Sequence, residues 1–129
     1  MADGLTSAQE QNMATVTAWI AAYNVQDFDT LAELAADDLR VEDPATGNYL
    51  LGWPAFRRTA EDLARQYPDR RITVTRMMPL GGSAVAVEGY WEGTRADGPG
   101  VDKDPLVHHI ESMVVELVAG KIAYRRIYR

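Results

Sequence analysis

Four side chains in this sequence have the type and spacing to do chemistry together: Asp43, His109, Glu111 and Arg125. Leu39, Val41 and Asp43 alternate, so all three share one face of a strand. Two are apolar and read as core. The third is a carboxylate on that same face. Such a group is a misfit, a structural ion pair or a proton-transfer group. Asp43 also precedes Pro44, and an aspartate before a turn commonly accepts main-chain hydrogen bonds.

The same parity argument finds the other three. Val115 and Leu117 set the inward face of a late strand, which brings Met113, Glu111 and His109 with them. Ile127 sets the inward face of the last strand and brings Arg125, with Arg129 one step further. Val85, Val87, Gly89 and Trp91 line a middle strand. The inferred pocket is apolar at its closed end, with the four polar groups converging on it. Burial in apolar surroundings disfavours the charged form of a carboxylate, which suits it to take a proton from beside a carbonyl and return it elsewhere. A donor to the developing enolate oxygen is then required. The available donors are His109, Tyr23, Tyr49, the Trp19 indole and Arg125. Glu111 and Arg125 sit on neighbouring strands and can instead pair. An uncompensated guanidinium on this face would be costly, so Glu111 is its first partner and Asp43 its second. His108 and His109 face opposite ways and cannot chelate together. His109 and Glu111 share a face, but no third ligand is evident, and no metal is expected. Trp19, Trp53 and Trp91 read as core or pocket wall. Arg57-Arg58 and Arg70-Arg71 read as solvated surface.

The elements that position these groups follow from pattern. Ser7 with Glu10 reads as a capping box opening a first helix, with Met13, Val16, Trp19, Ile20 and Tyr23 as its apolar stripe. Asp27 caps a second, shorter helix carrying Phe28, Leu31, Leu34 and Ala35. Strand one runs 39–43, and 44–52 is a loop. Pro54 opens a third helix with Phe56, Ala60, Leu63 and Tyr67 on one face, and Pro68 stops it. Strands follow over 71–78 and 83–94 around a Gly81-Gly82 turn. A polar, glycine-rich loop covers 95–104, a long strand 105–118, and a last strand 121–129. The fold class is α+β: a cone of three N-terminal helices on a strongly bent antiparallel sheet, enclosing one pocket for a small ligand.

The chain of 129 residues makes one domain, with residues 1–6 expected to be disordered. A hydrophobic content of 47% fits a globule with a substantial core. A net charge of −6 argues against nucleic acid and against an anionic membrane surface. There is no cysteine, so no disulfide framework and no zinc–thiolate site. No apolar run approaches the ~20 residues of a membrane span, and the N-terminus lacks a signal core. A cytoplasmic location is the default. Tyr90, Ile110 and Val114 form an outward apolar set, from which a homodimer is expected.

The order of elements resembles the nuclear transport factor 2-like superfamily, and within it the SnoaL-like polyketide cyclases and ketosteroid isomerases. The residues that carry the likeness are Ala36-Asp37-Asp38 before Val41-Glu42-Asp43-Pro44, Gly52 opening the third helix, Pro68-Asp69, Gly93-Thr94, and Gly120-Lys121-Ile122 with Tyr128. The likeness implies the cone fold and, with Asp43 at the general-base position of ketosteroid isomerases, an isomerase or aldol-type cyclase. That enzyme would need no cofactor and would act on a hydrophobic carbonyl compound such as a polyketide or steroid. The partner groups do not carry over. The oxyanion-hole tyrosine of the isomerases falls at Trp19, and their protonated aspartate near Met113 or at Ser112. The cyclases' last-strand aspartate falls at Ile127. The arginine–aspartate pair of limonene epoxide hydrolases falls on Val87 and Gly89. A non-catalytic module that binds a hydrophobic small molecule, or one that dimerises, is the alternative the missing groups imply.

Overall fold

The fold is organised by one long, bent strand pair. A computed structural model describes residues 4–96 and 106–128. Among these residues the elements are α1 (Ser7–Asn24), α2 (Phe28–Leu34), β1 (Ala35–Asp43), β2 (Asn48–Leu51), α3 (Trp53–Gln66), β3 (Arg71–Leu80), β4 (Ala84–Thr94), β5 (Leu106–Ile110), β6 (Ser112–Val118) and β7 (Lys121–Tyr128). The stretch 97–105, which holds most of the loop read from the sequence, lies outside the described residues. So do residues 1–3 and Arg129.

Helix α1 starts one residue earlier than its sequence signal. Thr6, not Ser7, is the N-cap, and its reciprocal partner is Gln9, not Glu10: the Gln9 amide donates to the Thr6 hydroxyl and the Thr6 amide to the Gln9 side chain, both at 3.1 Å. Asp27 caps α2 as read, accepting the Thr30 amide at 3.1 Å. Ala35 opens β1 instead of closing α2. The stretch 44–52 is not all loop, because Asn48–Leu51 pairs back on β1. Gly52 turns the chain into α3 with φ at +89°, a conformation that favours glycine.

The sheet order is β2-β1-β7-β6-β4-β3, with β5 also on β4. Most pairs are antiparallel, but β1 runs parallel to β7, so the sheet is mixed rather than wholly antiparallel. A local alternation pattern identifies strands without fixing which distant strand each one meets, and this pair joins opposite ends of the chain.

The bend sits at Gly89. Before it, β4 pairs with β6 from Ala84 to Val87; after it, β4 pairs with β5 from Tyr90 to Thr94. The single long strand read over 105–118 is interrupted at Glu111, whose amide donates to the Gly89 carbonyl at 2.9 Å. On the other side β3 bulges between Val74 and Arg76, and a Cβ on Gly89 would lie 2.2 Å from the Thr73 carbonyl oxygen. Glycine therefore permits a close crossing that lets the sheet curl.

The concave face carries the core. Val16, Trp19, Leu31, Leu39, Ile72, Val85, Val87, Met113, Val115 and Ile122 are all at most 2% exposed. Asn24 docks the end of α1 on β3: its side chain accepts the Ile72 amide at 2.7 Å and donates to the Ile72 carbonyl at 2.9 Å.

Candidate active site

Between α3 and the open end of the curled sheet lies a cavity of about 340 Å³. Its apolar wall includes Val41, Leu50, Phe56, Leu63, Tyr67, Val107 and Ile127, and its polar groups include Asp43, Asn48, His109, Glu111 and Arg125. The four residues that alternation grouped together are thus brought together.

Asp43 ends β1 and is 5% exposed. The turn after it is closed on its main chain: the Thr46 amide donates to the Asp43 carbonyl at 3.2 Å. Asp43 is among the residues that line the cavity.

Arg125 points inward from β7, as Ile127 implied, and its pairing goes to Glu111. Nη2 lies 3.4 Å from the Glu111 carboxylate, Nε lies 3.3 Å from the Met113 sulfur, and both members of the ion pair are buried. Glu111 can reach it because the break in the long strand puts this residue where the two half-strands meet.

His109 stacks on Trp91, with ring centroids 5.3 Å apart and planes 4° from parallel. Its Nδ1 lies 3.3 Å from the Ile110 carbonyl, a contact that the Nδ1–H tautomer makes as donor. Trp91 in turn meets Tyr67 edge-on at 5.2 Å and donates its indole N–H to the Tyr23 hydroxyl at 3.0 Å. Tyr23 is buried and lines the cavity.

Other sequence candidates lie elsewhere. Trp19 is 1% exposed and packs on Phe56 at 5.2 Å, in the core behind the cavity wall. Val87 and Met113 are core residues deeper on the same face. Tyr49 is 53% exposed, since its position opposite Glu42 turns it outward. Arg70 is not solvated surface: it is 1% exposed. Two residues before Ile72 on the inward face, it follows the strand parity, which the sequence reading did not extend past the strand's start. Asn48, Thr59, Leu63, Tyr67 and Val107 also line the cavity. The helical stripe signalled Leu63 and Tyr67 only as apolar, and Asn48 carried no signal within a stretch read as loop.

Among the described residues, no group of three or more His, Cys, Asp or Glu is placed to hold a metal ion. No helix among them is long and apolar enough to cross a membrane.

Comparison with known proteins bears on the same fold. A family model described as a SnoaL-like domain matches residues 16–125. No curated protein matches. Among solved structures, a candidate SnoaL-like polyketide cyclase from Jannaschia sp. CCS1 is 19% identical with a TM-score of 0.80, covering 98% of this chain and 90% of that one. A candidate ketosteroid isomerase from Kribbella flavida is 24% identical with a TM-score of 0.71, covering 92% and 77%. An uncharacterized cystatin-fold protein from Novosphingobium aromaticivorans is 25% identical with a TM-score of 0.75, covering 98% and 100%.

Proposed function

This chain belongs to the SnoaL-like domain family, and we propose that it is a cofactor-independent enzyme that moves a proton on an apolar carbonyl compound, with Asp43 as the base. The observation that carries this reading is a buried acid on the wall of a largely apolar cavity. Asp43 is 5% exposed and lines the cavity beside Val41, Leu50 and Ile127, and the Arg125 guanidinium on the same wall reaches Glu111 and Met113. A carboxylate on the wall of a largely apolar cavity is placed to take a proton from beside the carbonyl of a bound compound.

The steps balance with this chain's own groups. Asp43 takes the α-proton and becomes the neutral acid, and the electron pair moves onto the carbonyl oxygen as an enolate. Tyr23 lines the cavity, and its hydroxyl, which accepts the Trp91 indole N–H, keeps its own proton to donate to that oxygen. His109, stacked on Trp91, is a second polar group on the same wall. In a β,γ-unsaturated ketone the enolate extends over the double bond and recovers the proton from Asp43 at the γ-carbon, giving an isomer; in a diketone its α-carbon attacks the second carbonyl, closing a ring, and the alkoxide formed takes the proton from Asp43. The names of the Jannaschia and Kribbella proteins favour a polyketide- or steroid-like compound as substrate.

A second reading is a pocket that binds such a compound without turnover. It is favoured by Trp19 and Met113, both core residues, if the resemblance to ketosteroid isomerases is read with their tyrosine at Trp19 and their acid near Met113 or at Ser112. Asp43→Asn separates the readings. As base, its loss abolishes turnover while the melting temperature holds or rises. As a structural acceptor, its loss costs on the order of 1 kcal/mol of stability and leaves any activity in place.

A further inference from the structure

Arg70 is the group that the proton-transfer reading does not use and that burial makes hardest to ignore. It precedes β3, is 1% exposed, and lies behind Tyr23 rather than on the cavity wall. Its guanidinium carbon sits 4.2 Å from the centroid of the Tyr23 ring. Among the described residues, Nε, Nη1 and Nη2 have no hydrogen-bond partner. A buried cation held this way is costly unless another group uses its field. The ring face of a tyrosine is such a group, and the attraction is strongest where water is excluded.

We propose that Arg70 is a positioning residue: by lying on the ring face it polarises Tyr23, and so makes the Tyr23 hydroxyl a strong donor to a ligand's carbonyl oxygen. The chain of contacts runs from Arg70 to the Tyr23 ring, and from the Tyr23 oxygen to the Trp91 indole. Trp91 fixes where the phenol oxygen sits. Arg70 draws electron density from the ring and stabilises negative charge shared onto that oxygen. The effect is available only because both partners are buried. On an exposed tyrosine, water would screen it.

The inference rests on the proton-transfer reading for its purpose, but not for its test. The probe is 1-tetralone, an apolar ketone, carrying carbon-13 at the carbonyl, and the readout is the infrared carbonyl band of the bound ketone. In the wild-type protein the band falls below its position in a hydrocarbon solvent. Tyr23→Phe removes that shift. Arg70→Met reduces it without abolishing it, and lowers kcat for α-proton exchange about tenfold with KM little changed. A residue that merely supported the fold would lower the melting temperature and leave the band where it was. Should Arg70→Met not fold, Arg70→Gln is read in the same way. The inference is overturned if the ketone does not bind, if the wild-type band is unshifted, or if removing the Arg70 charge leaves the band in place. A shifted band that depends on Arg70, in a protein showing no proton exchange, defeats the enzymatic reading and leaves this one standing.

Discussion

At the scale of single residues, one buried ion pair, Arg125 with Glu111, ties the junction of β5 and β6 to β7. Glu111 and Arg125 are both buried and pair at 3.4 Å. Arg125→Met keeps the length of the side chain and removes the charge. It should cost roughly 3 kcal/mol by urea denaturation, because an acid is left in the interior without its cation. A loss under about 1 kcal/mol would place this pair among the weak, solvent-screened kind. These residues were legible because strand alternation is strict: knowing that Val115 and Ile127 face inward is enough to place Glu111 and Arg125 beside them. Trp19 and Tyr49 were harder. An indole on an apolar stripe can end in the core or on a cavity wall, and the stripe does not say which. Tyr49 was misplaced because a stretch read as loop is in part a strand, whose register turns it outward.

At the scale of elements, the decisive feature is a glycine that lets strands cross closely. Gly89→Ala puts a Cβ against the Thr73 carbonyl, a backbone atom that cannot step aside. The cost should be at least the 1–3 kcal/mol typical of overpacking, with the cavity distorted as well. Retained stability and retained ligand binding would show that the bend does not depend on this residue. The clamp between α1 and β3 is subtler. Asn24→Ala removes two side-chain hydrogen bonds to Ile72 and should cost about 1–2 kcal/mol by thermal unfolding. Nothing in the sequence marks Asn24 as more than a helix end, because its partner is remote in the chain. Acid sensitivity belongs to this scale too. The Asp69 carboxylate accepts the Thr94 amide at 2.8 Å, and that bond, helped by the Thr94 side chain, holds its carboxyl below the usual range. A carboxylate lowered in the folded state stabilises it above the ordinary aspartate value of about 3.9, and loses that contribution as pH falls through the folded value. Wild type should therefore exceed Asp69→Asn in melting temperature near neutrality, and the gap should close on acidification. A gap independent of pH would contradict the assignment.

At the scale of the whole molecule, the helix stripes and the alternation of the strands were enough to read three helices on a bent sheet. The parallel pairing of β1 with β7 was not, since it joins segments whose local patterns say nothing about each other. The outer sheet face leaves Ile110 67% exposed and Tyr128 46% exposed. A second copy covering that face should appear as a dimer by sedimentation at micromolar concentration, and Ile110→Asp should shift it to monomer. A wild-type monomer would remove this expectation without touching the pocket. The pocket itself is what the account stands on, and hydrogen exchange tests it most directly. The α-protons of 1-tetralone are followed by proton NMR in deuterated buffer, with wild-type protein, with Asp43→Asn, and with buffer alone. If Asp43 is the base, exchange runs well above the buffer rate with wild type and returns to the buffer rate with Asp43→Asn, at unchanged melting temperature. Equal exchange rates with the two proteins, or a wild-type rate no faster than buffer, would contradict it.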